Sequence, residues 1–376
     1  FATWRDFFND RQLLALGWLR GAIANLADAP TRDALLTLFS GALEFNNLFA
    51  SYKGEGTGAV RHMFSHHILK PERTPIEANV WGTSKSSGSF SNLFRSRLLR
   101  AVEYRLAPTE VNGRGHAKGL VCSAPFTGEV RPWPADSVFS PRTIYLSCGD
   151  SSTTGLPNKS IDLVVTDPPF FDNVHYSELA DFFYSWQQLM GEENTNHTTR
   201  DPAEVQDADA DCFAAKLQAV FRECNRVLKD DGLLVFSYHH SREEGWTALA
   251  EAVLGAGFLI VNSQPIKSEM SVATPKSQAK EPIQLDIILV CRKAGCKGRV
   301  QLLPVEKALG AARAKIGRLG DAGFALSRND RKIILFGQLL ATAESTNAAE
   351  GIVRRVEREL ASLELEDMPL FRWRSK

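Results

Sequence analysis

The stretch that decides the reading is Ile161-Asp162-Leu163-Val164-Val165-Thr166-Asp167-Pro168-Pro169-Phe170. Its first six residues are largely apolar and β-branched, the composition of a strand buried in a sheet, and the run stops on an acid, two prolines and an aromatic ring. Proline has no N–H to pair with a neighbouring strand and fixes its own φ, so the double proline forces a stiff, extended exit. A carboxylate, a fixed carbonyl and a flat ring are presented together where the strand ends.

Those residue types suit one chemistry. The amino nitrogen of adenine is conjugated into its ring, so its lone pair is poorly available for attack on the methyl of S-adenosylmethionine. The Asp167 carboxylate and the Pro168 carbonyl can both accept hydrogen bonds from the amino group, favouring a pyramidal nitrogen as positive charge develops. Phe170 offers a face to a base that has lost its stacking by rotating out of a duplex. The competing reading is an ordinary strand-ending turn.

Outward from this stretch the text alternates strand and helix. Thr143–Ser147 reads as a strand, followed by Cys148-Gly149-Asp150-Ser151. Ser177–Met190 reads as a helix, and Phe213–Leu228 as an amphipathic one stopped by Lys229-Asp230-Asp231-Gly232. Leu233–Ser237 is another buried strand, Trp246–Leu254 a helix, and Phe258–Ser263 and Leu285–Cys291 two further strands. The expectation is a doubly wound, Rossmann-like α/β sheet, parallel and covered on both faces, with ligands at the strands' carboxyl ends. Asp150 and Asp167 would share that edge, although Asp150 is equally a turn aspartate.

The flanks differ. Residues 10 to 28 and 31 to 50 carry helical spacing, with Thr31 as the expected N-cap of the second helix. From Ser51 to Pro141 the chain is rich in Gly, Ser, Pro and Arg, with one helix near Ser91 to Tyr104, a composition more typical of a recognition region than of a core. Residues after 300 return to helix at Val305–Leu319, Arg331–Glu344 and Ala348–Leu363. The expected organisation is residues 1–142 as a helical and irregular DNA-recognition region, 143–294 as a catalytic core and 295–376 as a helical tail.

At 376 residues, with 44% hydrophobic and 23% charged residues, the chain has the balance of a globular protein of two or three domains. No run of 18 apolar residues and no leader appears, so a cytoplasmic protein without a membrane partner is expected. The six cysteines are scattered and imply neither disulfides nor metal; Cys291 and Cys296 lack the second pair that a zinc ribbon needs. His62, His66 and His67 lack acidic or cysteine partners at ligand spacing, so no metal is expected there. Net charge is zero, yet Lys53–Lys118 holds 11 basic against 5 acidic residues, and Glu192–Asp211 holds 1 against 7. The first segment, with Arg95, Arg97, Arg100 and Arg105 beside a helix, either tracks phosphates or is a solvated surface; the second is a solvated loop.

Asp162 to Trp186, Glu223-Cys-Asn-Arg-Val-Leu-Lys-Asp-Asp-Gly-Leu-Leu-Val-Phe236 and Tyr238-His239-His240 together resemble the large bacterial adenine-specific DNA methylases encoded near phage-defence and restriction genes, over about residues 143 to 293. The resemblance implies that Asp167, Pro168, Pro169 and Phe170 clamp the target amino group, and that Asp150, with Ser151, lies beside the adenine ring of S-adenosylmethionine. It puts Asp172, Asn173, His175 and Tyr176 along the target-base pocket. Asp-Pro-Pro fits adenine N6 better than cytosine N4, where Ser commonly replaces Asp. His239 and His240 either touch substrate or cap a strand end, and the aromatic cluster from Tyr176 to Trp186 is mostly helix core by its spacing. The glycine-rich cofactor loop of the family is not found where expected: Gly54-Glu-Gly-Thr-Gly58, with Glu77 at about the right distance, follows a helix instead of a strand. That loop is expected from an N-terminal portion or a partner chain. The reading is a double-stranded-DNA adenine N6-methyltransferase in restriction or phage defence, alongside other defence proteins. The alternatives are methylation of RNA or of cytosine N4, or a nucleic-acid-binding subunit without catalysis.

Overall fold

The structure, a computed structural model, describes residues 1–52, 60–64, 77–83, 85–110, 120–121, 128–133, 142–171, 174–190, 197–268, 283–295, 302–345 and 348–367. The chain forms two compact units, one of Phe1–Trp133, Phe139–Leu146 and His175–Asp201, the other of Pro134–Val138, Ser147–Val174 and Pro202–Lys376. This division cuts across the boundaries expected at 142/143 and 294/295. Residues 175–201 go with the N-terminal region because their helix is one wall of its aromatic core, and the C-terminal helices share the core of the sheet.

In the first unit, α1 (Asp10–Ala24) opens with a reciprocal cap in which Asn9 accepts from the Gln12 N–H at 2.8 Å and Gln12 accepts from the Asn9 N–H at 3.0 Å. The next helix, α2 (Ala29–Leu43), is capped by Asp28 and not by Thr31: the Asp28 carboxylate accepts from the Thr31 N–H at 2.9 Å, which leaves Pro30 in the first turn, where a missing N–H costs nothing. Short pairs follow, β1 (Ser51–Tyr52) with β2 (Val60–Arg61) antiparallel. Then come α3 (Phe90–Leu93), a wider π turn at Phe94–Leu99 and α4 (Arg100–Leu106). Next are antiparallel β3 (Thr109–Glu110) with β4 (Leu120–Val121), and parallel β5 (Glu129–Pro132) with β6 (Thr143–Leu146). The last helix, α5 (Tyr176–Gln187), inserts Phe182 among Trp4, Phe7, Phe8, Phe64 and Phe183, with Phe8 stacked on it at 5.7 Å. Phe182 and Trp186 are buried, as their helical spacing predicts.

The second unit holds the main sheet, in the order β7 (Ile161–Thr166), β8 (Leu228–Tyr238), β10 (Leu285–Lys293), β9 (Phe258–Lys267). It is mixed where a parallel sheet was expected: only β7 and β8 run parallel, and β10 is antiparallel to both neighbours. The Thr143–Leu146 strand does not join it, since β6 pairs with β5 in the other unit. The helix α6 (Ala210–Val227) ends where expected and passes straight into β8, so Lys229 to Gly232 form a bulge inside the strand. Lys229 on Asp162 at 2.5 Å and Lys159 on Asp230 at 3.0 Å hold that bulge to β7.

One face of the sheet is deeply buried. Leu234, Phe236 and Tyr238 of β8, Ile287, Leu289 and Cys291 of β10, and Phe258 and Ile260 of β9 share a core with α6, α7 (Glu243–Gly255), α8 (Val305–Asp321), α9 (Arg328–Leu339) and α10 (Ala349–Asp367). Trp246 of α7 stacks on Phe336 of α9 at 4.8 Å. Helix α9 approaches β10 at Gly337, where a Cβ would stand 2.0 Å from the Ile287 side chain. The opposite face carries Leu163, Val165, Leu233, Val235, Ile288 and Val290 and lacks such burial among the described residues; Leu163 and Val165 are 51% and 69% exposed.

Candidate active site at the carboxyl end of the sheet

Strand β7 ends at Thr166, opposite Phe236 of β8. One step further, Asp167 stands beside Ser237, whose hydroxyl donates to the Asp167 carboxylate. The hydroxyl thereby aims an exposed carboxylate at the end of the sheet. Pro168 is buried while Pro169 and Phe170 are half-buried, so the stiff exit anticipated from the double proline is anchored on its first ring.

Phe170 meets Tyr238 edge-on at 5.5 Å and His239 at 4.6 Å. Phe171, which sequence reasoning passed over, has φ of 55°, the left-handed region that a bulky side chain rarely adopts. Its ring, 2% exposed, is locked between Phe213 at 5.4 Å and His240 at 5.5 Å, with the Arg242 guanidinium 5.0 Å above it. Burial of that ring over-determines a backbone cost of order 1 kcal/mol.

The two histidines separate. His240 accepts at Nδ1 from the Arg242 N–H at 3.1 Å, its carbonyl accepts from Trp246 Nε1 at 2.9 Å, and a Cβ on Gly245 would stand 2.5 Å from its ring. Burial pushes its pKa below the usual imidazole value, keeping it neutral as part of the turn into α7. His239 faces Asp286 of β10, with Nδ1 and Oδ1 2.6 Å apart. Asp286 carried no signal in the sequence, because only the antiparallel register of β10 on β8 brings it there.

Asp150 does not end a strand. It lies four residues beyond β6, in a turn where its carboxylate accepts from the Ser152 N–H and hydroxyl, both at 2.8 Å. Those bonds hold its pKa below the ordinary carboxylate value, so it is anionic and exposed. The stretch that follows is clamped to α6. Glu223 accepts from Thr154 N–H at 3.0 Å and hydroxyl at 2.5 Å and from Arg226 Nε and Nη2, both at 2.7 Å, which together hold its pKa down to about 2. Tyr176 starts α5 in the other unit and is exposed, whereas Asp172 and Asn173 lie outside the described residues. Arg95 and Arg97 are both exposed on the π turn of the first unit, as are Arg100 and Arg105 on α4. Gly54 to Gly58, His66 and His67 lie outside the described residues, and Glu77 is bound by Arg11 through two bonds of 3.0 and 2.6 Å.

No group of three or more metal-ligating side chains occurs among the described residues, and no helix among them is long and apolar enough to cross a membrane. None of the curated proteins compared with the chain matches it. Among solved structures, PvuII DNA methyltransferase (cytosine-N4-specific) is similar at 12% identity, covering 57% of this chain and 91% of that one with a TM-score of 0.25, a superposition too loose to bear on fold or substrate. From the first residue of β7 to the first turn of α9, residues 161–330 match the family model described as DNA methylase.

Proposed function

We propose that the chain carries the catalytic part of an S-adenosylmethionine-dependent DNA adenine N6-methyltransferase that acts in the cytoplasm in restriction or phage defence. The observation that carries this reading is Asp167-Pro168-Pro169-Phe170 leaving β7 at the carboxyl end of the sheet, inside the stretch that matches DNA methylase. The bound donor supplies an electrophilic methyl on a sulfonium. Asp150, anionic and exposed beside Gly149, where a Cβ would meet nothing within 4 Å, fits the donor's adenine amino group as an acceptor. The described residues include no glycine-rich cradle for its methionine end, and we assign that part to an N-terminal portion or a partner chain.

The Asp167 carboxylate, held by Ser237, and the Pro168 carbonyl accept from the target amino group and localise its lone pair. Phe170 receives the flipped base. Exposed Arg95 and Arg97 position the duplex through its phosphates. Incubating the full-length protein with donor and either methylation-free bacterial DNA or RNA, then digesting to nucleosides, tests the reading. N6-methyladenine in DNA is expected; N4-methylcytosine or RNA products would transfer the clamp to another base or polymer, and no methylated nucleoside would refute catalysis. In the same assay Asp167→Ala should lower transfer by about 1000-fold without unfolding, because the side chain is exposed.

A further inference from the structure

The geometry points to His239, held by Asp286, as the group that takes the proton released when the target amino nitrogen is methylated; this rests on the methyltransferase reading above. Tyr238 pairs with Ile287 across β8 and β10, so the next antiparallel pair sets His239 directly against Asp286. Their Nδ1 and Oδ1 are 2.6 Å apart, a charge-pair contact without hydrogen-bond geometry, and neither buried atom makes a hydrogen bond. The backbone leading to Asp286 is fixed from behind. Asp330 of α9, fully buried, accepts from the N–H groups of Gln284 at 2.8 Å and Leu285 at 3.1 Å, which pins the backbone next to Asp286. On the other side the His239 ring stands 4.6 Å from the ring of Phe170, at 61° to it.

Alternation along β8 puts Ser237 and His239 on the same face, and Ser237 is the residue bonded to Asp167. The clamp's partner Ser237 and the dyad's His239 are thus consecutive same-face positions at the end of β8, with Phe170 against the second. A carboxylate 2.6 Å from Nδ1 favours the tautomer protonated there, which leaves a lone pair on Nε2. His240, two bonds deep in its own turn, is committed elsewhere.

The step balances. The nitrogen lone pair forms the N–CH3 bond as the S–CH3 bond breaks, and the sulfonium donor leaves as a thioether. The nitrogen is then cationic; its N–H bond breaks, the electron pair returns to nitrogen, and the proton passes to His239 Nε2. The resulting imidazolium is paired with Asp286 until it loses the proton to water. His239 is the catalytic residue and Asp286 a positioning residue.

The experiment measures methyl transfer from labelled S-adenosylmethionine to methylation-free bacterial DNA by the full-length wild-type protein and by His239→Gln, His239→Gly and Asp286→Asn, each checked by its thermal transition. His239→Gln should lower kcat by about 100-fold while KM for DNA stays within about threefold, the split expected when only the transition state is affected. Added imidazole should restore His239→Gly by about tenfold or more, and Asp286→Asn should lose about tenfold in kcat with KM again unchanged. A His239→Gln enzyme with wild-type kcat, a loss confined to KM, or a folded His239→Gly enzyme deaf to imidazole would each overturn the dyad while leaving the methyltransferase reading intact. No transfer by the wild-type protein overturns that reading, and the dyad with it.

Discussion

Glu223 offers the sharpest test of how the turn carrying Asp150 is tied to the sheet domain. Its carboxylate is buried at the end of α6 and accepts four hydrogen bonds, two from Arg226 and two from Thr154. A fall in pKa from 4.5 to about 2 corresponds, at about 1.36 kcal/mol per unit, to roughly 3 kcal/mol of preference for the charged form in the folded state. Arg226 is partly solvated, so about 2 kcal/mol is the better expectation for Glu223→Gln, which keeps the shape and loses the charge. Because the folded-state value is depressed, this contribution is complete above pH 4.5, the unfolded value, and is lost as pH falls through the window down to about 2. Urea denaturation of wild type and Glu223→Gln at pH 7, 4 and 2.5 should therefore show a gap that narrows with acid. Exchange of the Thr154 amide, whose proton goes to Glu223, should quicken in the variant at pH 7. A gap of the same size at every pH, or an unchanged Thr154 amide, would refute the clamp.

Three further expectations concern other parts of the molecule. Phe170→Ala should cost about 1 to 3 kcal/mol in binding of the flipped base while Phe170→Tyr preserves it, read by the brightening of 2-aminopurine at the target position. The Arg95→Ala/Arg97→Ala double variant should lower the slope of log affinity for DNA against log salt by about 2, one per lost phosphate contact, with sequence preference intact; an unchanged slope would leave these side chains as solvated surface. Leu234→Ala on the buried face of the sheet should destabilise by about 2 to 5 kcal/mol, whereas Val165→Lys on the opposite face should stay within about 0.5 kcal/mol, and equal losses in denaturation would contradict the one-sided burial.

Local signals explain what was legible in the sequence. The strand ending at Thr166, the amphipathic α6 and the helical spacing of Phe182 and Trp186 depend on periodicities of two and 3.6, and these survive into the structure. The errors arise where a neighbour distant in sequence decides. Helix α6 does end just before Lys229-Asp230-Asp231-Gly232, but Asp162 on the adjoining strand and Lys159 just before it bind that segment as a bulge inside β8, which composition did not show. Parallel order was inferred from alternating β and α elements, yet the link from β9 to β10 carries no described helix and the strands run antiparallel. Thr31 was a reasonable cap by type; Asp28, three residues earlier, satisfies the same amide and lets Pro30 enter the first turn. The apolar content of Leu163, Val165, Leu233 and Val235 argued for two covered faces, and in the described residues only the other face is deeply buried.

The site itself was half legible for the same reason. Asp167 to Phe170 is contiguous in the chain, so its chemistry can be read as a string. Ser237, His239 and Asp286 become meaningful only through register: along this face β8 carries Leu233 and Val235 and then turns polar at Ser237 and His239, and β10 turns polar at Asp286 before Ile288 and Val290. Both changes fall at the same end of the sheet, because an antiparallel β10 begins where β8 finishes. At that shared end the two strands bring four side chains, Asp167, Ser237, His239 and Asp286, together in two cross-strand contacts.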